Sequence, residues 1–265
     1  AGGYVLETSD VDFQEGTFDK TQISGSGDTA SIILLPPTTT TDDFLDSSKI
    51  ASSNNIVVES SQVKLATSSE SLILRPDGPG DYTNISGVEP TGAEHWSVVD
   101  EAIADDSDYV YEGYEQINAD VYALEDPTSQ PGEIQEVRVC TRSYYSGFGG
   151  DLTPRLRLGT NETEGSTVSY SSWTLNCQTL DRPGGGSWSW TDINNLQAGA
   201  KIGAGPDSTL YLSQLYVEVI YSTYPTSGSF QSTNLLEGQS VGPIWSFSYY
   251  LSSLPAGTSA KVSFS

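Results

Sequence analysis

Apart from acids, this chain holds few residues that could do chemistry. A nucleophilic site of the Ser/His/Asp or Cys/His kind would have to use His95, the sole histidine, which sits beside Trp96, and no G-x-S-x-G elbow occurs. We therefore read His95 as a packing or surface residue. Zinc needs a set of His and Cys ligands that the chain lacks. Gly25–Ala30 matches G-x-G-x-x-A, but it leads into the apolar run Ser31–Leu35 and not into a helix, so phosphate binding fails on context. Glycosidase chemistry takes a carboxylate pair, and 35 acidic residues make pairs easy to find and none diagnostic. The expectation is a protein that is not an enzyme.

Hard cations are the better match to the acids. Asp100 and Glu101 are followed by Asp105, Asp106 and Asp108, a cluster of oxygens of the kind Ca2+ takes, although no EF-hand spacing is present. A solvated acidic loop is the alternative reading of the same residues. Cys140 and Cys177 can form one bridge, worth on the order of 4 kcal/mol in the chain-entropy model, against the alternative of two separate buried thiols. Asn84 and Asn161 head N-x-S/T sequons, candidate glycosylation sites in an exported chain. Trp188 and Trp190 follow three glycines and fall on one side of an extended backbone, where flat rings could stack on sugars or fill a sandwich core.

The acids also set the partners. Lys and Arg number 11 against 35 Asp and Glu, a net charge of −24, which excludes nucleic-acid binding in the usual sense because phosphate backbones are held by a basic surplus. No apolar run is long enough to insert in a membrane as a helix. The chain has no Met, even at position 1, so signal-peptide removal or a segment boundary is expected there. With a disulfide expected, the reading is an extracellular or cell-surface protein.

Elements that could position these residues are strands. Segments rich in Val, Ile, Tyr and Thr alternate between turn residues, as in Ile134–Tyr145, Val168–Leu175 and Leu210–Tyr221. In the last, Leu215, Val217, Val219 and Tyr221 share one face. Short helical patterns occur only at Ser97–Ala104 and Thr191–Ala200, the latter with Thr191 as cap and Gly199 as stop. Composition divides the chain into an N-terminal strand segment and linker (1–37), a short β unit (38–67), a central β-rich stretch (68–222) and a C-terminal β unit (223–265). The strand-like ending AKVSFS either closes a sheet or continues beyond it.

Several stretches resemble modules that recur in large secreted and surface proteins of archaea, uncultured bacteria and phages. These are GTFDKTQISGSGDTASIIL, DDFLDSSKIASSNNIVVESSQVKLA, the central RPDGPGDYTNISGVEPTGAEHWSVVDEAIADDSDYVY with SWSWTDINNLQAGAKIG, and the C-terminal SGSFQSTNLLEGQSVGPIWSFSYYLSSLPAGTSAKVSFS. The resemblance implies an all-β fold, a jelly-roll-like antiparallel β-sandwich with smaller flanking β units. Such modules recur in adhesins, filament subunits and phage or virus appendages, and the expectation for this chain is a structural subunit of a surface filament or appendage, assembling as a homopolymer. One route is donation of an N-terminal strand carrying Tyr4, Val5, Leu6, Val11 and Phe13 to a neighbouring subunit; pairing of that strand within its own sheet is the other. The competing expectation is a carbohydrate- or cell-surface-binding module with glycans as partners.

Overall fold

A computed structural model of the chain describes residues 21–24, 31–34, 50–59, 62–128 and 132–232. Five strands come first: β1 (Thr21–Ser24), β2 (Ser31–Leu34), β3 (Ile50–Asn54), β4 (Ile56–Glu59) and β5 (Gln62–Leu65). Then follow β6 (Ser68–Leu74), β7 (Pro76–Thr83), β8 (Gly87–Glu89), β9 (Tyr109–Gly113), β10 (Ile117–Leu124) and β11 (Glu133–Ser146). The remaining strands are β12 (Gly150–Leu158), β13 (Asn161–Glu164), β14 (Thr174–Thr179), β15 (Gln197–Ala204), β16 (Thr209–Thr223) and β17 (Ser229–Ser232). β1 with β2, β3 with β17, and β4 with β5 form two-stranded ribbons. The donor residues Tyr4, Val5, Leu6, Val11 and Phe13 lie outside the described residues.

The larger compact unit, Asn55–Val57 with Lys64–Ser229, is a sandwich of two antiparallel sheets. One sheet runs β13-β12-β15-β10-β7; the other runs β14-β11-β16-β9-β8, with β6 also paired to β16. From β7 onward the chain passes back and forth between the sheets, the habit of a jelly roll. The fold class is therefore the all-β sandwich expected. The core follows from alternation. Val137 and Val139 of β11, Leu215, Val217 and Val219 of β16, and Ala198, Ala200 and Ile202 of β15 are all fully buried. Each large aliphatic side chain so buried contributes about 1.5–3 kcal/mol.

Two local expectations change. The stretch Thr191–Ala200 is not one helix: a single turn, α1 (Trp190–Ile193), is capped by Ser189 in a capping box with Asp192, and β15 begins at Gln197. Gly199 is a strand residue of β15 and not a helix stop, and the position takes glycine because a β-carbon there would stand 1.9 Å from the Asp120 carbonyl oxygen on β10. The strand expected over Val168–Leu175 starts later, at Thr174; Val168 makes only an isolated bridge to Leu152, and Trp173 lies in the bend before β14. At Ser97–Ala104 the structure has a 3-10 turn over His95–Val98 and then an irregular loop.

Candidate functional site

The site is built on the outer face of the six-stranded sheet. On β9, Val110 points into the core, so Tyr109 and Tyr111 point out. On β11 the inward Val139, Thr141 and Ser143 leave Arg142 and Tyr144 outward. On β16 the register slips between Arg142 and Ser143, giving a bulge at Ser213. This bulge switches the inward phase from Leu210 and Leu212 to Leu215, Val217 and Val219, and it leaves Tyr211 outward.

Register then brings the rings together. Tyr144 is opposite Tyr211, Tyr211 is opposite Tyr111, and Tyr111 is opposite Gly87 of β8. The Tyr144 and Tyr211 rings stack at 4.8 Å, and Tyr109 meets Tyr211 edge to face at 5.0 Å. Tyr111 packs 6.1 Å from Tyr211 and lies over Gly87, where a β-carbon would fall 2.2 Å from the ring. Trp173 reaches over from the bend before β14 to within 4.5 Å of Tyr144. All five rings are half-buried. Burial among neighbouring rings raises the Tyr109 and Tyr144 phenols above their usual range.

A loop bounds this aromatic row on one side. The second neighbour of β16 is β9 over Thr209–Leu212 and β6 over Val217–Thr223. The gap between them is filled by the chain after the 3-10 turn, with the Leu215 amide donating to the Val99 carbonyl at 2.7 Å. From there residues 100–108 fold over the sheet. Gln214 donates to the Glu101 carbonyl, and Ser213 donates to Asp106 at 3.0 Å. Both oxygens of Asp106 accept from Arg142, at 2.8 and 2.7 Å, and the Arg142 guanidinium stands 5.9 Å from the Trp173 ring. Arg142 holds the Asp106 carboxyl below the usual carboxylate range.

The expected calcium residues thus divide. Asp106 belongs to the Arg142 pair, and Asp105 accepts from the Ser107 amide and hydroxyl, which lower its pKa. Glu101 and Asp108 each keep one buried carboxylate oxygen with no hydrogen-bond partner. Burial, with Asp108, Asp100 and Asp105 nearby, pushes Glu101 up to about 7; burial likewise raises Asp108 and Asp100. Among the described residues no three His, Cys, Asp or Glu side chains form a metal-holding group.

The other expected residues fall elsewhere. Cys140 and Cys177 face each other across β11 and β14 and are joined by a disulfide, with a Cα–Cα distance of 4.0 Å. Trp188 and Trp190 are partly buried against the core, and the Trp190 indole N–H donates to the Gly132 carbonyl. They do not meet the aromatic row. Asn84 and Asn161 are exposed. His95 pairs with the fully buried Asp120 at 2.7 Å; Asp120 also accepts from Tyr122 and from the Asn84 and Ile85 amides. Among the described residues no serine or cysteine contacts His95, and the Asp120 hydrogen bond raises its pKa. Asp120 thus ties His95 and the 84–85 backbone to β10.

The opposite sheet face is ionic. Arg155 and Arg157 lie against the Tyr82 ring and bind Glu162, Glu164 and Asp81. No family model matches the chain, and no curated protein matches its sequence. Solved structures that are similar include two that match less than half of it. One is TmCBM61 in complex with β-1,4-galactotriose, with a TM-score of 0.26 and 9% identity, covering 46% of this chain and 73% of that one. The other is a family 16 carbohydrate-binding module, with a TM-score of 0.27 and 9% identity, covering 45% and 82%. At those scores the likeness carries no argument about the site, which rests on its own geometry.

Proposed function

We propose that the sandwich is a non-catalytic, secreted glycan-binding module whose ligand lies on the outer row formed by Tyr111, Tyr211, Tyr144 and Trp173, flanked by Tyr109. The observation that carries this reading is five half-buried rings converging on one outward face beside a bidentate Arg142–Asp106 pair. Sugar rings offer apolar C–H faces and a rim of hydroxyls; aromatic side chains take the first and a charged, fork-shaped hydrogen-bonding pair takes the second. A disulfide in the same sheet fits an oxidising, extracellular setting. Among the described residues no helix is long and apolar enough to cross a membrane. A glycan array probed with the wild type and with Trp173→Ala tests this. The proposal expects selective binding by the wild type that falls by at least about tenfold in the variant, the effect of losing one good stacking contact. No binding above background, or equal binding by the variant, overturns it.

A further inference from the structure

Within this aromatic site, and resting on the reading of it as a glycan site, we infer a preference for glycans that carry free amino groups. The juxtaposition that carries the inference is Glu89 beside Tyr109. In β8, Val88 packs toward the core opposite Val110, so Gly87 and Glu89 share the outer face with their partners Tyr111 and Tyr109. Glu89 is exposed, and among the described residues nothing hydrogen-bonds or ion-pairs with its carboxylate. Its charge acts on Tyr109, whose phenol it helps to raise. An unpaired carboxylate beside a tyrosine ring that itself packs against two others is a receptor for an ammonium group, which gains from the charge and from the ring quadrupole together.

The rest of the face agrees with this sign. Arg142, beside Trp173, has both Nε and Nη2 taken by Asp106, and Arg138 is held by Glu136 and Glu218. These two arginines of β11 already hold carboxylates, which leaves them less able to receive a ligand's carboxylate or sulfate. The whole chain carries a net charge of −24, so polyanions are repelled before they arrive. An amino sugar can stack its ring on Tyr211 and Tyr111 and place its ammonium at Glu89.

Calorimetric titration at low salt and mildly acidic pH, where the amine is protonated, provides the test. The probes are a β-1,4-linked glucosamine hexamer, its fully N-acetylated counterpart, a galacturonic acid hexamer and hexalysine. The wild type is expected to bind the glucosamine hexamer about tenfold tighter than the N-acetylated one, a ratio that high salt removes. The uronate is expected not to bind, and hexalysine to bind at least tenfold more weakly than glucosamine. Glu89→Gln, an exposed isosteric change, is expected to abolish the amino preference, and Tyr211→Ala to abolish binding of both neutral and amino hexamers. Equal affinity of Glu89→Gln for the glucosamine hexamer, or hexalysine binding as well as glucosamine, overturns the inference. Tyr211-dependent binding of the N-acetylated hexamer without any amino preference overturns it while leaving the glycan site standing. No Tyr211-dependent binding of any sugar removes both.

Discussion

Tyr211 is the residue on which the aromatic row turns, because it stacks on Tyr144 and receives Tyr109 edge-on. Removing its ring takes the stacking partner from Tyr144 and the edge-on partner from Tyr109, although Trp173 still packs against Tyr144 and Tyr111 against Tyr109. Tyr211→Ala is expected to lower stability by about 1–3 kcal/mol, measured by chemical unfolding, and to lose glycan binding on the still-folded protein. Two titrating groups give the molecule a pH slope of known sign. Glu101, raised from an ordinary 4.5 to about 7 by burial, makes the folded state hold an extra proton between those values. Stability therefore falls as pH rises through that window. His95 is raised above 6.5 by Asp120; its contribution is full below 6.5 and is lost as pH climbs through the raised value. Both slopes run the same way. Melting temperatures taken between about pH 4.5 and pH 8 should decline for the wild type and decline less for Glu101→Gln. A flat wild-type profile would contradict the burial assigned to Glu101.

At the scale of elements, three devices hold the site in place: the Ser213 bulge, the loop 100–108 and the disulfide. The bridge ties β14 to β11 in register, next to the bend that carries Trp173. Replacing Cys140 and Cys177 together by Ala should cost about 4 kcal/mol of stability in the chain-entropy model and weaken glycan binding through Trp173. Unchanged unfolding of the double variant would show that the bridge constrains nothing. Gly199→Ala should be worse than its size suggests, by about 1–3 kcal/mol or more, since the new methyl meets β10 backbone that cannot move without unpairing the sheet. The calcium expected at Asp100, Glu101, Asp105, Asp106 and Asp108 is tested at this scale too. A chelator lowers the melting temperature if Ca2+ bridges Glu101 and Asp108, and leaves it unchanged if it does not.

Alternation over Leu215–Tyr221 was readable, and with it an all-β chain; the sandwich was expected from the resemblance. The Cys140–Cys177 bridge was readable from a count of two. The aromatic row was not, because its members are spread over Tyr109 to Tyr211 and no window contains more than two. Only the Tyr109-Val110-Tyr111 alternation hinted that two rings share a face. Their convergence depends on strand register, and on a bulge that reverses the inward phase of β16, both long-range properties. Trp188 and Trp190 stood out in the sequence because they are neighbours, yet the capping box at Ser189 begins a helical turn that folds Trp190 toward Gly132 and Tyr221.

Across the whole molecule, charge is the dominant fact. Five of the six arginines among the described residues, Arg138, Arg142, Arg155, Arg157 and Arg182, hold carboxylates. What remains of −24 is self-repulsion that only counterions relieve. The melting temperature should therefore rise steadily from low to molar sodium chloride; a fall would mean that the ion pairs outweigh the repulsion. The same field filters ligands by sign. The central claim is that glycans bind the aromatic row and not the tryptophans beside the core, and affinity electrophoresis in gels containing soluble β-glucan, β-galactan or β-mannan tests it most directly. Comparing Tyr144→Ala with Trp188→Phe, the account predicts that whichever polysaccharide retards the wild type will no longer retard Tyr144→Ala and will still retard Trp188→Phe. Retardation of Tyr144→Ala together with its loss in Trp188→Phe would contradict the account.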